Sequence, residues 1–235
     1  MDKSRIIGAL LVMCGLIGLG SLLKAGIDDY AKKDNYVTVK GLAEREVMAD
    51  KVVWPISLKD AGNDLIELYD SMSAKTMKVM SFLKKNGVEE SEISVSATSV
   101  YDRQTERYVA DNIQTRYQAS KVITVTSNKV DLVRKLLSSQ EELLQQGVAI
   151  AAGEEWEGNA TRFEFTGLND LKPQMIEEAT QNARAVAEKF ATDSKSKLGE
   201  IKFANQGQFS ISDRDNNTPY IKSVRVVTTI DYYLN

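Results

Sequence analysis

The sequence predicts an α+β protein: a mostly antiparallel sheet with two long helices and one shorter helix packed on it, preceded by one N-terminal transmembrane helix. Three observations predict it. An uncharged run, IIGALLVMCGLIGLGSLL, fills residues 6–23. Beyond it, stretches of two-residue alternation surround two long stretches with three- and four-residue apolar spacing. The order of these stretches reads as hairpin–helix–hairpin twice over, which suggests an internal duplication.

As a helix, residues 6–23 span roughly 27 Å, close to the hydrocarbon thickness of a bilayer. Lys3 and Arg5 precede the run, so the positive-inside rule puts the N-terminus in the cytoplasm and the rest outside. The favoured reading is an uncleaved anchor over residues 1–27, a linker over 28–35 and a folded domain over 36–235. A cleaved signal peptide and a buried soluble helix are the alternatives. No clean cleavage site stands out: Gly18-Leu19-Gly20 lies inside the run, and Lys24-Ala25-Gly26 starts with a charge. A lipoprotein signal wants a small residue before Cys14, where Met13 stands. GLIGLG (15–20) lacks the preceding strand and the order of a phosphate-binding loop. Its small residues suit close packing of a membrane helix.

The domain opens YVTVKGLAEREVMADKVVWPISL (36–58). Tyr36–Lys40 is a strand. Met48, Val52, Trp54, Ile56 and Leu58 share one parity and mark another. Gly41 and Glu44–Arg45–Glu46 fall between them and read as the corner of a hairpin. Pro55 lacks a donor, which places its strand at an edge or a bulge. Asp64 caps a helix with Leu65, Leu68, Met72, Thr76, Val79 and Leu83 on one face, and KKNG (84–87) ends it. Strands follow at about 92–102 and 117–126, then a shorter helix at about 129–138 capped by Asn128. Further strands are expected at about 147–152 and 161–167, the latter burying Phe163 and Phe165.

Pro173 suits a first helical position. The helix after it carries Ile176, Ala179, Ala183, Val186 and Phe190 on one stripe, whose alanines allow close approach to a sheet. Leu198-Gly199 stops it, and strands at about 200–210 and 220–234 finish the chain. Both hairpins that follow the long helices turn at Asp-Arg: VYDRQTER and ISDRDNN.

Composition narrows the chemistry. The chain has 235 residues, 43% hydrophobic and 27% charged, enough for one or two domains with a real core. Thirty Lys+Arg against 33 Asp+Glu leave a net charge of −3, and no basic stripe suggests nucleic acid. There is no histidine, which removes the usual general base and the commonest metal ligand. Cys14 is the only cysteine and lies in the apolar run. No catalytic, cofactor-binding or metal-ligating residue is expected. GEEWEG (153–158) reads as a solvated loop. DRDNN (213–217) begins like a calcium loop, but Thr218 and Val224 stand where glycine and glutamate are needed. Glu44 and Glu46 could form an acid/base pair, yet nothing else supports it. Asn159-Ala160-Thr161 fits a glycosylation acceptor. Tyr101, Tyr108 and Tyr117 flank one hairpin, and Tyr220, Tyr232 and Tyr233 decorate the last strand, as interface or as core.

YVTVKGLAEREVMADKVVWPISLK resembles the opening of SIMPL-domain proteins, and EEATQNARAVAEKFATDSKSKLGEI resembles their long Ala-rich helix and the strand after it. The two segments bracket most of 36–235. The resemblance implies an α+β domain, a bacterial extracytoplasmic location, self-assembly and a link to oxidative-stress tolerance, with no accepted active site. The expected function is thus a non-enzymatic, self-assembling protein of the cell envelope, anchored in the inner membrane by residues 6–23 with its domain in the periplasm. A periplasmic protein released by signal cleavage is the alternative location. A binding or chaperone-like module for peptides or misfolded clients is the alternative function, and an enzyme using carboxylates ranks lower. A homo-oligomer is the expected partner, with the ligand unknown.

Overall fold

The computed structural model describes residues 3–32, 35–105, 114–151 and 160–235. Its elements are α1 (Lys3–Lys32), β1 (Tyr36–Met48), β2 (Lys51–Gly62), α2 (Leu65–Lys85), β3 (Ile93–Val95), β4 (Ser99–Asp102), β5 (Tyr117–Ser127), α3 (Val130–Ser138), α4 (Glu141–Gln145), β6 (Ile150–Ala151), β7 (Arg162–Glu164), α5 (Leu168–Asp193), β8 (Leu198–Gln206), β9 (Ser210–Asp213) and β10 (Ile221–Leu234). The class is α+β, as expected, but the strands form two antiparallel sheets. The chain divides into two compact units: Met1–Arg45, Asp170–Ser210 and Val224–Asn235 make the first, Glu46–Asn169 and Ile211–Ser223 the second.

In the first unit, α1 continues through residues 28–32, where a linker was expected. Among the described residues, no helix is long and apolar enough to cross a membrane. The expected span 6–23 includes side chains outside the described set. Its described part from residue 11 onward falls short of the roughly 20 residues a span needs. The sheet of this unit runs β1-β10-β8, with β9 also on β10. Helix α5 buries Met175, Ala179, Ala183, Ala187 and Ala191, a strict four-residue stripe. Ala183 and Ala187 meet Val37, Val39, Ile230 and Tyr232. Alanine stems keep the helix low on the strands, and Gly41 of β1 sits directly beneath it. A Cβ on Gly41 would lie 1.8 Å from the Ala179 carbonyl oxygen and 2.8 Å from the Ala183 Cβ.

That contact corrects the reading of the opening stretch. Gly41 does not break the strand: Val37, Val39, Gly41 and Ala43 are all buried on one parity, and β1 runs straight on to Met48. The corner lies at Ala49–Asp50, and β2 joins the other sheet, so β1 and β2 form no hairpin. The charges of 44–46 fall within β1. Arg45 reaches Gln174 and Glu178 of α5 at 2.9 and 3.1 Å.

The ends of α5 also differ from expectation. The helix begins at Leu168, so Pro173 lies in its interior. Its buried stripe keeps the expected Ala179 and Ala183 but takes Met175, Ala187 and Ala191 in place of Ile176, Val186 and Phe190, leaving the last two about half exposed, at 52% and 50%. It ends before Leu198-Gly199. Lys195 takes the left-handed conformation at φ 58°, while Lys195 N–H donates to Thr192 O and Ser196 N–H to Ala191 O. That pair of bonds is the Schellman closure usually built on glycine.

The second unit has the larger core. Its sheet runs β3-β5-β2-β6, with β4 also on β5 and β7 also on β2. Val52, Trp54, Ile56 and Leu58 of β2 and Ile123 and Val125 of β5 meet Leu68, Met72, Val79, Phe82 and Leu83 of α2. Asp64 caps α2 as expected, its side chain accepting from the N–H groups of Ile66 and Glu67 at 2.7 and 3.0 Å. Leu65 is exposed, so the buried face begins one turn later. Strand β2 is central, not an edge. Pro55 lies opposite Thr124 on one side and, on the other, between β7 at 51–53 and β6 at 57–58. That gap is where a missing donor is tolerated.

The expected strand 92–102 is two short strands, and those at 147–152 and 161–167 shrink to β6 and β7. Phe163 is buried and Phe165 only half-buried. Asn128 does not cap α3. The Ser127 hydroxyl accepts from Lys129 N–H instead, at 2.9 Å. Helix α4 was not expected from the sequence. Both Asp-Arg turns do close hairpins, with Arg103 N–H on Arg116 O and Arg214 N–H on Ile221 O, each at 2.9 Å. No hairpin precedes α2, because β1 and β2 part company, so the repeated outline holds only for helix plus following hairpin.

Candidate functional site

The best-formed concavities lie in the second unit, on either side of Phe163. One, of about 380 Å³, is walled by Arg162 and Glu164 of β7, Asp213 of β9 and Lys222 of β10. The other, of about 610 Å³, is walled by Asp131, Arg134 and Ser138 of α3 with Tyr220. The alternation of each element sets these positions. Val133 and Leu136 face the core, which turns Arg134 and Lys135 outward. Lys222 occupies the buried parity of β10, ahead of Val224 and Val226.

Aromatic stacking ties the two clefts together. Phe163 and Tyr220 meet edge to face with centroids 6.1 Å apart, and the Arg134 guanidinium lies 3.4 Å above the Tyr220 ring. Such a stack gives a rigid, partly cationic platform. Several of the charges lining it are paired. Arg134 pairs with Asp131 at 3.3 Å, Glu164 with Lys51 at 2.9 Å, and the buried Lys222 ammonium donates to Asp213.

The pKa shifts run one way. The Thr218 hydroxyl, then Arg214, hold Asp215 down to about 2. Burial pushes Asp60 up, but its bonds to Lys75 and Ser71 prevail and lower it. Glu92 is likewise raised by burial and lowered further by Ser127 and its other partners. Asp102 is held low by Arg116, and Arg116, Lys129, Arg184 and Arg214 are raised by their carboxylate partners. Each shift fixes a group in its charged form, the signature of structural ion pairs. General acid–base chemistry needs a group poised near neutrality.

The residues singled out from the sequence do not converge. Glu44 and Glu46 both point to the exposed side of β1, and Glu46 pairs with Arg214 at 3.3 Å. Neither lines a cleft described above. In DRDNN, the Asp215 carboxylate accepts from Asn217 and Thr218 N–H, each at 2.8 Å, so it closes a turn. GEEWEG, Tyr108 and Asn159 lie outside the described residues. Tyr232 is buried in the first unit, whereas Tyr101 is 49% exposed. No group of three or more metal-ligating side chains comes together among the described residues. Sequence reasoning missed Arg134, Tyr220 and Lys222 as neighbours. The one available signal was Lys222, a lysine on the inward parity of an apolar strand.

These features define an α+β protein of two helix-on-sheet units, with open clefts lined by charged side chains of both signs. The family model of SIMPL, described as a protein of unknown function (DUF541), matches residues 37–228, and the chain belongs to that family. No curated protein matches the chain.

Proposed function

We propose that this chain is a membrane-tethered, extracytoplasmic SIMPL protein of the bacterial envelope. It works by tethering and self-assembly, without bond-breaking chemistry, and supports envelope integrity under oxidative stress. One observation carries the reading. Helix α1 is 30 residues long, and Leu11, Val12, Met13, Leu16, Ile17, Leu19, Leu22 and Leu23 on it are all more than half exposed. Helical spacing spreads these positions over roughly two-thirds of the circumference, with the uncharged Cys14, Gly18 and Ser21 on the remaining arc, and a helix with so wide an apolar face wants lipid or a core. Lys3 and Arg5 ahead of the run set the orientation.

Membrane fractionation with an alkaline wash, followed by intact mass, tests the tether. The expected result is full-length chain in the washed membranes. Soluble protein that begins after residue 20 would replace the tether by a cleaved signal. Light scattering on detergent-solubilised chain tests assembly, and a monomer at every concentration would remove that part.

A second reading, a module that binds extended peptides, draws on β8. Seven of its nine residues are exposed, with Ile201 at 51% and Phe203 at 59%. An open strand edge can take up another strand. Two register shifts and Lys202 interrupt this edge, however, and such features discourage pairing. The reading therefore ranks second.

A further inference from the structure

The first unit carries a cluster of cations and tyrosines at one end of its sheet, and the proposed function leaves it without a task. Three chain segments meet there. Leu234 N–H donates to Asn35 O at 2.9 Å, and Lys197 and Asn235 exchange backbone bonds of 2.8 and 2.9 Å. The start of β1, the start of β8 and the end of β10 thus lie side by side. Tyr36 is 47% exposed. The Lys202 ammonium lies 3.6 Å from the Tyr36 ring centroid and 5.7 Å from that of Tyr233. Lys195 and Lys197 are exposed beside them. No ion pair engages Lys195, Lys197 or Lys202 among the described residues.

The local charge runs against the global one. The chain has a net charge of −3, yet KSKLGEIK (195–202) holds three lysines against Glu200 alone. An exposed tyrosine, Tyr36, and a half-buried one, Tyr233, interleaved with unmatched lysines are the chemistry of a membrane–water interface: rings at headgroup depth, ammonium groups on phosphates.

Chain length decides which surface this end meets. The apolar run closes at Leu23, and α1 continues to Lys32, about 13 Å further on. From Lys32 to Tyr36 the chain can reach at most about 14 Å. A tether this short keeps the end of the sheet at high effective concentration over the bilayer, so a weak attraction suffices to seat it. We infer that Tyr36, Tyr233, Lys195, Lys197 and Lys202 form a docking surface for anionic phospholipid headgroups. The surface holds the first unit against the membrane that α1 enters. This inference rests on the tethered reading.

Hydrogen exchange of the full chain in nanodiscs tests it, comparing phosphatidylcholine alone with a phosphatidylcholine/phosphatidylglycerol mixture. Amides of 36–40 and 195–203 are expected to exchange roughly tenfold more slowly in the anionic discs, given the attraction of a few basic side chains to such a surface. The slowing is expected to vanish in high salt and in the K195Q/K197Q/K202Q variant. Equal exchange in the two lipids, or slowing that survives both salt and the triple substitution, would overturn the inference. A melt of the variant in detergent reports whether it folds, and if it does not, the salt and lipid comparisons on the unaltered chain decide. Loss of the chain from the discs on alkaline washing would sink the tether itself. A retained chain with lipid-independent exchange would sink only the headgroup surface.

Discussion

Gly41 lies where strand and helix backbones come closest. Its missing Cβ would overlap main-chain atoms of Ala179 and Ala183, at 1.8 and 2.5 Å, which no side-chain rotation can relieve. Gly41→Ala is expected to cost about 3 kcal/mol or more, the upper part of the overpacking range, read as a lower urea midpoint. Thr228 presents the opposite situation. Its hydroxyl is buried and finds no partner among the described residues. Thr228→Val keeps the shape and removes the orphan group, so thermal unfolding is expected to show a gain of about 1 kcal/mol. Asp215 supplies a pH dependence. Its carboxylate is held at about 2 in the folded chain, chiefly by the Thr218 hydroxyl and then by Arg214. The folded value lies below the unfolded one, so its contribution is complete above the ordinary aspartate range and is lost as pH falls toward about 2. Exchange at the amides of Asn217 and Thr218 is expected to quicken over that window, and Asp215→Asn to abolish the dependence. Of these three residues the sequence marked Asp215 within a turn and Gly41 at a corner, and only the turn is found. A glycine among alternating residues reads as a break until a helix is known to lie on it.

The three helix ends show why some element boundaries were legible. Helices α2, α4 and α5 all close with the same two bonds, of which Val88 N–H to Leu83 O, Val148 N–H to Leu143 O and Ser196 N–H to Ala191 O span five residues and their companions three. In the first two, the left-handed residue is Gly87 or Gly147, at φ 90° and 76°. KKNG could therefore be read as a stop. In α5 the residue is Lys195, which no sequence rule marks, so the end was placed too late. Lys195→Gly is expected to stabilise the protein by roughly 0.5–1 kcal/mol in denaturant titration, because glycine enters that conformation without steric strain. The stripe of α5 holds as expected at Ala179 and Ala183 and departs from expectation at its two ends. Val186 and Phe190 are larger than the alanines, but close approach over Gly41 selects the alanine row there, and these two side chains are about half exposed. Cap chemistry at Asp64 was legible because it is local, three residues of sequence holding both partners.

For the whole molecule, the proposed tether predicts where the chain resides. If α1 enters lipid, two carboxylates at its centre carry a transfer penalty of roughly 3 kcal/mol each. L16D/I17D is expected to move the chain from washed membranes to the soluble fraction. Retention of that variant in the membrane would place the attachment elsewhere. The α+β class, the lack of any histidine and the family to which the chain belongs were legible from the residues alone. All of these depend on composition or on patterns within a few residues, which every conformation of the chain shares. Long-range packing set the rest: β1 and β2 enter different sheets, the Glu44–Glu46 stretch lies within a strand, and Arg134, Phe163 and Tyr220 come together. Those outcomes depend on which distant surfaces fit, and a close fit such as Ala179 over Gly41 is a property of two segments far apart in the chain.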